Sequence, residues 1–289
     1  MKEMGIKDLV SFVKKQNPEV FTTSFASWTN QKHFEKEKGN GERIRIAIDV
    51  PILAYKLAYI SGTDALVSRI LSFASNFNTH TGTPVFVFDG LVLPEKIEEK
   101  AKRAAAFQKR PPAPLKESRR LFADDVEIIV ELGPEACKQP NKKDYELMKE
   151  ALMATGYECL TAKYEAEALC AYLCSINRVD AVLTEDSDAF AYCSPFVILH
   201  FNTPDCIVVE SRKMFEALQI SRDAFIELCV LLGNDFNERI HLVGPVKSLA
   251  LLKKHLTLDT VLDFLQVDDE KQKRMKRTLE IFKCYCFET

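Results

Sequence analysis

Nowhere in its 289 residues does the chain hold an apolar stretch near the roughly 20 residues that a membrane-spanning helix needs. Met1 to Val10 lacks the succession of basic, apolar and small residues that marks a secretory leader. There is no C-x-x-C, and the nine cysteines are odd in number and irregularly spaced, which argues against a disulfide framework and leaves buried free thiols as the expectation. These absences predict a soluble, intracellular protein that needs no membrane. The phosphate-cradling Gly-x-x-x-x-Gly-Lys-Ser/Thr loop is missing, so nucleoside triphosphate hydrolysis has no support. Internal repeats and low-complexity tracts are also missing. A net charge of only −3 means that the molecule as a whole is no obvious polyanion binder.

What is present is a 47% hydrophobic composition, ample for one large domain or a domain with a C-terminal extension. Seven acids stand in five short clusters: Asp49, Asp89, Glu165 with Glu167, Asp186 with Asp188, and Asp235. Three clusters follow apolar runs that read as parallel strands, namely Ile44 to Ile48, Pro84 to Phe88 and Ala181 to Leu183. The carboxyl ends of parallel strands in an open α/β sheet share one crevice, so acids remote in sequence can meet there. No lysine or arginine is interleaved with them, so crowded carboxylates must take up protons or bind cations. Oxygen donors without a His or Cys set favour Mg²⁺ or Mn²⁺ over Zn²⁺. From Pro94 to Arg120 nine basic residues face four acids, and Lys271, Lys273, Arg274, Lys276 and Arg277 form a second basic cluster. Either cluster alone reads as a solvated helix face; beside a metal site, basic residues just after Asp89 suit a phosphodiester backbone.

Along the chain, Gly5 to Lys15 predicts a short amphipathic helix, and polar Gln31 to Arg43 a loop. Pro51 to Tyr59 and Asp64 to Phe77 read as helices between two strands, a βαβ unit. Pro94 to Phe107 reads as a charged helix ended by the Pro-rich run at Pro111 to Pro114, with a further helix over Lys116 to Leu132 and a loop over Gly133 to Lys143. Helices follow at Asp144 to Thr155 and Glu165 to Ser175. Short strands at Val197 to Phe201 and Cys206 to Val209 flank a turn at Asn202 to Asp205. Ser221 is the expected N-cap of a helix running to Leu232, and the remainder past Asp235 reads as helical.

Five motifs then occur in a telling order: Ile46-Ala47-Ile48-Asp49, Pro84 to Gly90, Glu165-Ala166-Glu167-Ala168, Thr184-Glu185-Asp186-Ser187-Asp188 and Leu232-Gly233-Asn234-Asp235-Phe236, after the opening Met4-Gly5-Ile6-Lys7-Asp8-Leu9. Together they resemble the structure-specific 5′-nuclease family that includes flap endonuclease, exonuclease 1 and the xeroderma pigmentosum group G nuclease, from about Met4 to about His255. The resemblance implies a PIN-like α/β fold with a mostly parallel central sheet flanked by helices. It implies a catalytic core over 1–220, with a helical arch at about 94–143, and a helical duplex-binding extension over 221–289 containing a helix-turn-helix.

By the same resemblance Asp49, Asp89, Glu165, Glu167, Asp186, Asp188 and Asp235 would hold two Mg²⁺ ions, which Mn²⁺ could replace. Lys96 and Arg103 would hold the scissile phosphate, Tyr55 would stack on a base, and Gly5, Gly244 and Lys247 would contact nucleic acid. Two positions of the duplex-binding turn depart from the family pattern, where Leu242 replaces a glycine and Val246 a lysine. Three residues precede Met4, the Asp49 to Asp89 interval is short, and no C-terminal sliding-clamp motif is present. Because Glu165 and Glu167 are two apart on an expected helix, only one is expected to ligate directly; Asp186 and Asp188, in an expected extended loop, can project to one side. The expected activity is Mg²⁺-dependent cleavage of branched or flapped DNA by a monomer. Alternatives are an RNA-cutting relative of the viral host-shutoff type and a non-catalytic nucleic-acid scaffold. A phosphatase reading of Asp89 lacks its second aspartate, since Leu91 stands there.

Overall fold

The computed structural model describes residues 5–38, 42–97, 101, 139–201 and 206–284. Its strands are β1 (Arg45–Asp49), β2 (Thr83–Phe88), β3 (Glu158–Thr161), β4 (Ala181–Leu183), β5 (Phe196–Leu199) and β6 (Ile207–Glu210). They form one sheet in the order β3-β2-β1-β4-β5-β6, parallel throughout except for the antiparallel β5/β6 pair. Strands buried on both faces read as unbroken apolar runs. That is why β1, β2 and β4 are visible in the sequence and β3, Glu-Cys-Leu-Thr on the sheet edge and only half-buried, is not.

The described helices are α1 (Leu9–Gln16), α2 (Phe25–Lys38), α3 (Val50–Ser61), α4 (Leu66–His80), α5 (Lys142–Ala154), α6 (Ala166–Ser175), α7 (Asp188–Ala191), α8 (Ser211–Leu218), α9 (Arg222–Leu232), α10 (Pro245–His255), α11 (Leu258–Phe264) and α12 (Asp269–Cys284). Side chains alternate across β1, so Ile46 and Ile48 join the core shared with α3, α4 and α5, while Ala47 faces Cys170 and Leu173 of α6. A third apolar cluster joins Ile6, Leu9 and Phe190 to residues of α8 through α12. Ser221 caps α9, its hydroxyl accepting from the Ala224 N–H at 3.2 Å. No described helix is long and apolar enough to cross a membrane. Cys170, Cys174 and Cys229 are buried thiols outside any disulfide.

Two sequence expectations are corrected. Gln31 to Lys38 continues α2 rather than forming a loop. Lys32 and Gln31 meet Glu35 at 2.9 and 3.0 Å, the Lys32 ammonium also lies 5.2 Å from the centre of the Phe196 ring, and Trp28 anchors the helix at its apolar start. The C-terminal basic cluster is no freely solvated face either: Arg274 donates to the Phe236 carbonyl, Lys271 to the Arg239 carbonyl, and Lys276 and Arg277 pair with Asp259 and Glu95. A 3₁₀ turn at Pro94–Lys96 opens the segment where a charged helix was expected to start, and Ile97 and Ala101 beyond it are helical. The rest of that helix, the helix over Lys116 to Leu132 and the turn at Asn202 to Asp205 lie outside the described residues, as does most of the expected arch.

Candidate active site

Each acid is set by local chain chemistry. Asp49 ends β1 and caps α3: its Oδ1 accepts from the Ile52 N–H at 3.4 Å and its Oδ2 from the Thr184 hydroxyl at 2.6 Å. Asp89 follows β2 directly, and its Oδ1 accepts from the Ala166 N–H at 2.9 Å, the first amide of α6. Gly90 makes this junction possible, because a Cβ there would lie 2.0 Å from the Ala162 carbonyl oxygen. Past β4, the Thr184 hydroxyl accepts from the Asp186 N–H at 3.0 Å, and Asp186 Oδ1 accepts from the Asp188 N–H at 2.9 Å. The segment is thus a tight turn into α7 and not the extended loop expected. Asp235 is carried by an Asn234 turn, whose Oδ1 accepts from the N–H groups of Phe236 and Asn237.

Glu165 corrects another expectation. It is the extended N-cap residue of α6 (φ −97, ψ 131), not part of the helix, so the two-residue spacing does not separate it from Glu167. Carboxylate oxygens of Asp89, Glu165 and Glu167 all lie within 4.8 Å of one another. Two unit charges at that separation repel by about 3 kcal/mol at an effective dielectric of about 20. Of the seven acids only Asp89 is exposed, and Asp188 is fully buried.

The expectation that no cation is interleaved with the acids fails in space, although it holds in sequence. Lys96 is buried among them, its Nζ 2.5 Å from Glu165, 3.3 Å from Glu167 and 3.8 Å from Asp235, and 4.8 Å from the centre of the Phe236 ring. Burial alone would lower the pKa of its ammonium; the carboxylates of Glu167, Glu165, Asp188 and Asp235 outweigh that and hold it well above the ordinary lysine value. One ammonium does not balance the set. Burial, followed by repulsion from Glu167 and Asp235, raises Asp186 to about 7, and burial raises Glu165 to about 7 despite Lys96. Asp49 and Asp188 are pushed well above the usual carboxylate range, chiefly by burial.

Asp188 supplies the test of whether these residues suit a metal. Neither of its carboxylate oxygens finds a hydrogen-bond donor among the described residues, although both are buried. Buried acceptors are almost always satisfied, and a hard divalent cation satisfies oxygens that carry surplus negative charge. The residues therefore fit such an ion.

Gly5 closes the pocket from the far end of the sequence. A Cβ on Gly5 would stand 2.1 Å from Asp186 Oδ1 and 2.7 Å from Asp188 Oδ1, and its φ is +76. Next to it the Ile6 N–H donates to the Ser187 hydroxyl at 2.7 Å. Gly5→Ala is expected to cost at least about 1–2 kcal/mol for the left-handed backbone alone, before any displacement of the acids. Thermal denaturation measures this, and an unchanged midpoint would contradict the seat described.

Residues 156–235 match the XPG I-region family. Flap endonuclease 1 of Enterocytozoon bieneusi is 29% identical across 81% of this chain and 69% of its own length. Flap endonuclease 1 of Debaryomyces hansenii is 28% identical across 93% of this chain and 71% of its own. Along most of its length the chain is similar to flap endonucleases, and one segment of it matches the XPG I-region. Its fold is the PIN-like 5′-nuclease fold: the catalytic core of Rad2 in complex with DNA substrate aligns at a TM-score of 0.60 and 21% identity, over 83% of this chain and 79% of that one. The matched segment contains Glu165, Glu167, Asp186 and Asp188 and ends at Asp235, whereas Gly5, Asp49, Asp89 and Lys96 come from outside it.

The remaining candidates stand on other elements or beyond the described residues. Tyr55 is on α3, with 44% of its surface exposed. Gly244 is the N-cap of α10 and Lys247 is exposed in its first turn. Leu242, 79% exposed, adopts φ +58, so the backbone keeps the left-handed turn although a leucine occupies it. Arg103 lies outside the described residues. Sequence reasoning missed Thr184 and Asn234, which shape the turns carrying Asp186 and Asp235, and Ser187, which seats Ile6 beside the pocket. A hydroxyl or amide one or two positions from each acid was the available signal.

Proposed function

We propose that the chain is a Mg²⁺-dependent structure-specific 5′-nuclease that hydrolyses phosphodiesters in branched or flapped DNA. The observation that carries this reading is the convergence of carboxylates from four separate chain segments on one buried pocket with Lys96 among them. Asp49, Asp89, Glu165 and Glu167 would hold one divalent ion, and Asp186, Asp188 and Asp235 would complete a site for a second. Bound ions supply an acidified water as nucleophile and charge stabilisation for the leaving oxygen. Oxygen-only ligation supports Mg²⁺, with Mn²⁺ as a substitute.

The chain's own residues do the rest. Lys96 provides a fixed positive charge where phosphate charge develops, in surroundings dry enough to make that charge effective. Thr184 and the α6 amide at Ala166 orient Asp49 and Asp89. Gly5 leaves the space that a side chain would take beside Asp186. Tyr55, exposed on α3, is positioned to stack on a base, worth about 1–3 kcal/mol per base. Arg103 is assigned to the scissile phosphate with Lys96. Residues 221–289 act as the duplex-binding part through Gly244 and Lys247, and the protein works as a monomer.

A labelled 5′-flap duplex incubated with Mg²⁺ tests the reading, with cleavage near the junction as the expected result. No cleavage, or an identical profile from Asp186→Ala, would overturn it. Leu242 and Val246, both exposed where the family pattern has glycine and lysine, favour a second reading in which RNA is cut. Rates on single-stranded RNA and flap DNA measured side by side decide between the two.

A further inference from the structure

The C-terminal helix α12 does not stand off as a basic arm; it grips the pocket. Arg277 Nε lies 2.9 Å from Glu95 Oε1, and its Nη1 lies 3.0 Å from Glu280, which fixes the guanidinium between two carboxylates. Glu95 and Lys96 are neighbours in the single 3₁₀ turn that follows Leu93, where the Lys96 N–H donates to the Leu93 carbonyl at 3.0 Å. Holding the Glu95 side chain therefore holds the backbone from which Lys96 reaches the acids. The same helix grips the other end of that lysine. Arg274 Nε donates at 2.7 Å to the carbonyl of Phe236, the residue whose ring faces the Lys96 ammonium, and Phe282 packs edge-on against that ring at 5.6 Å.

We propose that Arg277, acting through Glu95, is a positioning residue that fixes Lys96 in the pocket, with Arg274 supporting the same lysine through Phe236. The inference rests on the nuclease reading for its effect on rate, but the placement of Lys96 is measurable without it. Arg277 is half-exposed and Glu95 partly so, and ion pairs of that kind contribute at most about 1 kcal/mol to stability. A change at Arg277 consequently leaves the fold standing while freeing the turn.

The experiment compares the full chain with Arg277→Met, Glu95→Gln, the double variant and Arg277→Lys. Acetylation of lysines by acetic anhydride, read by mass spectrometry, reports Lys96 directly. Lys96 is expected to be protected in the wild type and to react about fivefold faster or more in Arg277→Met, with melting temperatures nearly equal. Single-turnover cleavage of a 5′-flap duplex is expected to fall about tenfold in each single variant and no further in the double, since the two residues act as one unit. Arg277→Lys is expected to recover part of the rate, and flap affinity in Ca²⁺ to stay within about twofold. Unchanged protection of Lys96 in both single variants overturns the proposal whether or not the wild type cuts. So does a rate loss matched by an equal loss of flap affinity, which would make Arg277 a phosphate contact. A wild type that fails to cut, with Lys96 deprotected in Arg277→Met, would sink the nuclease reading and leave the positioning role intact.

Discussion

Asp186→Ala is expected to lower flap cleavage by about a thousandfold or more, the loss of several kcal/mol of charge stabilisation, and to raise the melting temperature of the metal-free protein at pH 8. The two effects share a cause. Asp186 is buried, repelled by Glu167 and Asp235, and titrates at about 7 against an ordinary value of 3.8. Against this, the substitution removes the acceptor of one backbone hydrogen bond from Asp188 at 2.9 Å, a loss of about 1–3 kcal/mol. Removing the Asp186 charge ends both its burial in the pocket and its repulsion from Glu167 and Asp235, so the relief wins where Asp186 is ionised. An acid whose folded pKa is raised contributes stability that is complete below its unfolded pKa and is lost as pH rises through the folded one. In EDTA, wild-type stability should therefore fall between about pH 4 and 8, as Asp186 and Glu165 ionise. Asp186→Ala should flatten that slope, and Mg²⁺ should raise the wild-type midpoint most at the alkaline end. Melting curves across pH with EDTA or MgCl₂ make the comparison. A variant less stable than wild type at pH 8 in EDTA would contradict the electrostatic account.

Lys96→Met is expected to abolish most activity as well, by about 10²- to 10³-fold, but with the opposite sign on stability. The ammonium compensates Glu165, Glu167 and Asp235 inside the pocket. Removing one partner of a buried ionic set costs about 3–5 kcal/mol, because the carboxylates left behind are unbalanced. Methionine keeps the stem length, so the loss is mainly one of charge. The metal-free variant should melt well below wild type at pH 8 and recover toward it at pH 5, below the value of about 7 to which Glu165 is raised. Divalent ions should stabilise it more than they stabilise wild type, since they restore the missing positive charge. Titration of MgCl₂ followed by thermal denaturation reads this directly. Wild-type single-turnover rates in Lys96→Met would remove this lysine from the proposed chemistry.

How much could be read in advance depended on where each signal resides. Strands β1, β2 and β4 were legible because burial on both faces leaves unbroken apolar runs, and the acids at their ends were legible because parallel strands deliver their carboxyl ends to one place. Strand β3 was not, since an edge strand of mixed residues lacks that signature. The second half of α2 reads as loop in composition, since its residues are mostly polar and its hydrogen bonds from Gln31 and Lys32 to Glu35 are local. Glu165 was assigned to a helix by pattern, whereas its backbone turns extended one residue before α6 begins. The ammonium of Lys96 lies 69 positions from Glu165 along the chain. Such pairing follows from the sheet order and from α12, neither of which leaves a local mark.

The contact between Ile6 and Ser187 spans 181 positions, and Lys7 donates to the carbonyl of Gly233. The pocket is thus stitched from segments far apart in sequence. A fragment that stopped short of Gly233 would lack both Asp235 and the carbonyl that holds Lys7. Under the proposed function such a fragment would carry an incomplete site.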